Sequence, residues 1–176
     1  AIVSKEEFDA ALASLKADYD ASGGWGMFSG PSDPALSLFR EAGVSATGLR
    51  AVVLQVMHPF VAVGVLTHSN VLTNPLDRAE KTQRYVTSMM FGNWTEIERA
   101  ARAVRGLHSR VKGTMDENVG AFAASGKFDA AERHAIRWVA ATMPDAVKFG
   151  SEIVLGKTLS VAEKQAVIDV NLRFMK

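Results

Sequence analysis

The sequence predicts an all-α fold, a single-domain bundle of about eight helices. Helix-start signatures recur along the whole chain, apolar residues return every three or four positions, and no stretch alternates apolar and polar as a half-buried strand would. Ser4 with Glu7 forms a capping box, in which each side chain satisfies the other's orphan backbone amide, and opens a helix over 4–20. Phe8, Leu12, Leu15 and Tyr19 share one face of it. The glycine-rich stretch 21–31 (ASGGWGMFSGP) reads as a loop, and Asp33-Pro34 starts a helix over 34–42, proline being pre-set for the first helical position.

An apolar helix is predicted over 47–67 with a kink at Pro59, and Asn74-Pro75 opens the next over 75–91. Thr95/Glu98 caps a helix over 95–112, and Asp129/Glu132, a looser box, caps one over 129–142. Two more are predicted over 145–155 and, from Ser160/Glu163, over 160–174. Gly43, Gly92, Gly113 and Gly156 fall where helices should stop. Residues 112–127 are the least readable stretch.

The 176 residues, 48% hydrophobic and 22% charged, suit one domain, 1–176, able to bury roughly 70% of its unfolded surface. A formal net charge of +1 removes the electrostatic case for nucleic acid as a partner. With no cysteine, disulfides, Cys-based zinc, iron–sulfur clusters, thiolate-bound haem and covalent c-type haem are all excluded. The first twenty residues mix acidic and apolar side chains rather than forming a secretory leader, so a cytoplasmic location is expected. The most apolar run, 51–66, is broken by Gln55, His58, Pro59 and Gly64 and falls short of a membrane span. Residues 120–127 (GAFAASGK) imitate a phosphate-binding loop but have one residue too many and Phe128 where Ser or Thr is needed. No G-x-S-x-G, H-E-x-x-H or Glu-x-x-His motif is present.

Four histidines remain. His108 continues the stripe Ile97, Ala101, Val104, His108, Val111 and so points inward, where an imidazole needs either a hydrogen-bond partner or a metal. On the preceding helix Arg78, Lys81 and Thr82 share a face that runs on through Tyr85 and Met89. This is either a solvated first turn beside a core stripe, or two cations and a hydroxyl at the mouth of an apolar cavity. If His108 faced them, a flat apolar ligand with a central metal and anionic edges, as in haem b, would suit the space. His58, just before Pro59, reads as core packing or as a cavity-lining residue. His68 suits a helix C-terminus, His134 the surface, and Trp25, Trp94 and Trp138 are anchors.

Taken in order, GLRA (48–51), QVMHP (55–59), VAVGVLTHS (61–69), Asn74-Pro75, RAEKT (78–82), Phe91-Gly92, HSRVKG (108–113) and WVAAT (138–142) form a series. The series resembles the catalytic domain shared by bacterial rubber oxygenases (latex-clearing proteins) and the fungal membrane-bound oxygenase of mycophenolic acid biosynthesis. The resemblance spans about 28–174. It implies an all-helical, globin-like haem-binding core, haem b bound through His108 as the iron ligand, and Arg78, Lys81 and Thr82 reaching the propionates or the distal oxygen site. O2 and a small apolar, isoprenoid-type substrate are the implied partners. Rubber oxygenases carry an acidic residue, proposed as catalytic base, on the helix before R-x-x-K-T, whereas residues 49–66 here contain no Asp or Glu. A positioned base contributes typically about 10²–10⁴ in rate, so the departure bears on the reaction. A non-catalytic helical binder of haem or lipid, and a haem-free family member, are the alternatives.

Overall fold

In the computed structural model, which describes residues 1–45, 47–115 and 126–175, the chain is largely all-α. Helix α1 (Lys5–Ala21) opens on the Ser4/Glu7 capping box, and Leu12 and Leu15 are buried on the predicted face. Asp33 caps α2 (Pro34–Arg40) by accepting from the Ala35 amide at 2.9 Å, an interaction worth about 1 kcal/mol. The loop between them is a core element. Met27 and Phe28 are almost wholly enclosed, each stabilising the fold by roughly 1.5–3 kcal/mol. Gly26 lets the loop dip inward at φ +65°, where a Cβ would stand 2.6 Å from the Met90 carbonyl oxygen.

The predicted helix over 34–42 stops at Arg40, and the short α3 (Ala42–Ser45) contains Gly43, which was expected to end a helix. A Cβ on Gly43 would lie 2.6 Å from Leu155, so this glycine serves close packing. The kink expected at Pro59 is a full break. The 47–67 helix is two, α4 (Gly48–Gln55) and α5 (Pro59–His68), bent by 106°. Proline at the first position of α5 disfavours a helical His58, whose ψ is 123°.

Helices α6 (Pro75–Phe91) and α7 (Trp94–His108) form an antiparallel pair joined at Gly92 and Asn93. The α7 capping box is Asn93/Glu96 rather than Thr95/Glu98. The helix ends at His108, not at residue 112, because the chain turns there into an antiparallel hairpin, β1 (Lys112–Thr114) with β2 (Lys127–Asp129). Gly113 ends no helix. It makes room for the buried Phe128 ring, which would meet a Cβ at 2.9 Å. The 120–127 imitation of a phosphate loop falls mostly outside the described residues.

Glu132 is itself the N-cap of α8 (Arg133–Phe149), accepting from the His134 and Ala135 amides. The two helices expected over 129–142 and 145–155 are one, carrying Pro144 in its interior and passing into a π-helical turn, Gly150–Val154. Gly156, at φ +64°, follows as expected, and Ser160/Glu163 caps α9 (Val161–Phe174). The core gathers Leu15, Met27, Phe28, Leu36, Leu38, Met89, Met90, Ile97, Val147, Val167 and Val170, with Trp25 and Trp94 packed on it.

Candidate functional site

The α6–α7 pair places the start of one helix beside the end of the other, and so brings the Arg78 turn to the His108 turn. The stripe on α7 behaves as its spacing predicts: Ile97 is buried, and Ala101, Val104 and His108 are progressively nearer the open end and partly covered. Desolvation first, and then the Arg78 charge, hold the His108 imidazole below its ordinary pKa. It is therefore neutral at pH 7, with a lone pair to offer. Among the described residues no hydrogen bond engages its ring.

Arg78 and Thr82 are bound to each other. The guanidinium donates to the Thr82 hydroxyl, which donates in turn to the Arg78 carbonyl oxygen at 2.9 Å. Thr82 thus uses both capacities of its hydroxyl on Arg78 and fixes the direction of its cation. One turn further Tyr85 is desolvated enough for its phenol to be pushed up to about 12, and its ring meets Phe174 edge-on at 6.2 Å. Met89 completes the stripe in the core.

Lys81 lies outside this cluster. It is exposed and bound to Asp77 at 2.8 Å, and Asp77 also accepts from Asn70. His58 belongs to a second cluster at the opposite end of α5. It is buried against Phe60 and Trp138, whose centroids lie at 5.7 and 6.4 Å, and it feels Glu132 and His134. Burial lowers its pKa more than Glu132 raises it. His68 packs on Phe128 at 5.9 Å, and His134 is exposed, as expected.

Sequence spacing missed the role of Phe128. The buried ring lies over Gly113 and beside Gly64 of α5, and Val111 touches the same glycine position. Val111 and Gly113 of the H-x-x-V-x-G pattern are therefore contact points that lock α5 and the hairpin together just beyond His108. A hollow of about 540 Å³ lies over α2, lined by Ser32, Asp33, Ser37 and Arg40 among others, and includes none of the candidate residues.

The donor set can be tested against the groups it could hold. Among the described residues no three His, Asp or Glu side chains converge on a point, so a site with three side-chain ligands has no basis there. A single neutral imidazole next to a fixed guanidinium fits a group that brings its own donors to the metal and carries anionic edges. The α5 segment from Val61 to Val65 is apolar and half-exposed, and its Gly64 lies beside Val111, three residues beyond His108.

Fold and site together define a largely helical structure in which the His108 imidazole lies beside the Arg78 guanidinium. Residues 37–176, most of the chain, match the family described as ER-bound oxygenase mpaB/B′/Rubber oxygenase, catalytic domain, and the chain belongs to that family. The family is one of oxygenase-type catalytic domains, haem-dependent in general, and implies O2 and an apolar substrate. Comparison with curated proteins and with solved structures returned no match. Among the described residues no single helix is long and apolar enough to cross a membrane.

Proposed function

We propose that residues 1–176 form one catalytic domain of a cytoplasmic haem b-dependent oxygenase acting on an apolar, isoprenoid-type substrate. The observation that carries the reading is the placement of His108, partly buried at the end of α7 beside Arg78 and with no hydrogen bond to its ring among the described residues. Haem, when bound, supplies an iron that activates O2. His108 provides the protein ligand to that iron, and its depressed pKa keeps the ligating nitrogen unprotonated without a proton having to leave first. The Arg78 guanidinium balances the carboxylates of the porphyrin edge, and Thr82 holds it in place for that task. Lys81 joins them only when its exposed ion pair with Asp77 opens. The apolar face of α5 excludes water and selects substrates without charge. His58, in its own cluster, supports α5 and α8 rather than the site.

The test is a visible spectrum during haemin titration of the wild type and of His108→Ala. A Soret band that forms in the wild type and collapses or shifts in the variant supports the reading. Equal haemin binding by both proteins would falsify the ligand assignment. A second reading, a helical haem carrier without turnover, is favoured by the absence of Asp and Glu from 49–66. Haem-loaded protein that consumes no O2 in the presence of isoprenoids would select it.

A further inference from the structure

Helix α4 is built inside out. Its inner side is fastened to α8 by polar ties. Gln55 donates to the Thr142 hydroxyl at 3.0 Å, the Trp138 indole donates to the Leu54 carbonyl at 2.9 Å, and Arg50 pairs with Asp145 at 2.9 Å. Just before the helix, Thr47 donates to the Ala146 carbonyl at 2.9 Å. Only Ala51 is buried in α4 itself. Leu49, Val52, Val53 and Val56, spaced i, i+3, i+4 and i+7, form the outer face, and Met57 follows at the bend; all five are exposed. Leu49 is 73% and Met57 69% exposed, so these side chains stand proud of the surface rather than tiling it.

We propose that this face is a peripheral membrane contact, seated in the outer few ångströms of a bilayer carrying anionic lipid. Three observations favour lipid over a second copy of the chain. First, an eight-residue helix is about 12 Å long, and its outer face offers far less than the ~800 Å² per partner that a stable dimer buries. Second, protruding Leu, Val and Met side chains need a medium that yields around them, which acyl chains do. Third, no acidic residue occurs between Glu41 and Asp77; the half-exposed Trp138 ring reaches α4 at Leu54, exposed Arg137 precedes it on α8, and Arg50 is already paired with Asp145. This is the pattern of an interfacial helix, with apolar side chains in the lipid and cations and an indole at headgroup level. The backbone of α4 is already hydrogen-bonded within the helix, so entering the interface strands few amides. The contact rests on α4 and its bend, and stands or falls separately from the haem reading.

Sedimentation with phosphatidylcholine vesicles containing a quarter phosphatidylglycerol tests it. Wild-type protein is expected to pellet with the vesicles. Leu49→Glu with Val53→Glu, both at exposed positions, should reduce the bound fraction at least about fivefold with an unchanged circular dichroism spectrum. The neutral pair Leu49→Gln with Met57→Gln should reduce it as well, separating lost apolar contact from charge repulsion. Ile168→Glu, on the exposed side of α9, should bind as wild type does. Wild-type protein remaining in the supernatant overturns the proposal. So does retained binding by either α4 pair, an equal loss in Ile168→Glu, or a lipid-free dimer that Leu49→Glu with Val53→Glu converts to monomer.

Discussion

His58 and His108 are alike in isolation. Each is desolvated, each is held below its ordinary pKa, and each adjoins a helix end. Their neighbours separate them. His58 is closed in by Phe60 and Trp138, with the Glu132 carboxylate drawing its pKa partway back. His108 stands at the open end of α6–α7, where the nearby charge is the Arg78 cation and reinforces the effect of burial. A carboxylate beside an imidazole favours the proton, whereas a guanidinium favours the bare nitrogen and a ligand that accepts its lone pair. Burial alone does not distinguish the two histidines; the sign of the adjacent charge does.

The largest effect that would break this comparison is on haemin affinity. His108→Ala should weaken it by on the order of 100-fold, and His58→Ala should change it little, read from Soret titrations side by side. Equal losses would mean that the two environments are not functionally distinct. Stability should respond in the opposite order. His58→Ala opens a hole against two aromatic rings and should cost about 1–3 kcal/mol in urea unfolding, while His108→Ala should cost less. A smaller effect isolates the charge. Arg78→Met should raise the His108 pKa towards its ordinary value in an NMR titration and leave His58 where it was; an unmoved His108 resonance would break the electrostatic link.

Acid should weaken the fold through both histidines. Because each binds its proton less readily when folded than when unfolded, the unfolded chain carries more protons below the ordinary value of 6.5. Their favourable contribution is thus present above about that pH and is lost as pH falls through the depressed folded values. Each single His→Ala variant should flatten the slope of stability against pH in that window. The smallest expected change comes from Thr82→Ala, which frees Arg78 without removing it. A few-fold loss of haemin affinity, roughly one hydrogen bond's worth, would show that Thr82 acts through Arg78.

Much of the architecture was legible locally. Ser4/Glu7, Asp33-Pro34, Asn74-Pro75 and Ser160/Glu163 all start helices where their cap chemistry says they should. The misplaced start of α7 arose because Asn93/Glu96 and Thr95/Glu98 both satisfy the same spacing, and only the chain's exit from Gly92 chooses between them. Pro144 broke a local rule, since packing of α8 against α4 and α9 carries the helix through it. Gly113 misled for a tertiary reason, the Phe128 ring, and no signal near position 113 reports it. At the site, periodicity alone put Arg78 and Thr82 on one face and His108 on another stripe. That Lys81 turns to Asp77 could have been anticipated, because an Asp four residues before a Lys is a common helix pair.

The α6–α7 pair has a consequence for the order in which the molecule assembles. Arg78, Thr82 and His108 come from one uninterrupted stretch, joined by a turn at Gly92 and Asn93, and need no distant segment to meet. Contacts so close in sequence close short loops and form on the fast side of folding. The pinning of Val3 to Ala131, and of Arg173 to Met27, joins segments more than a hundred residues apart and belongs to the slow side. On loop-closure entropy alone, Arg78 and His108 are expected to meet before the segments more than a hundred residues apart are joined.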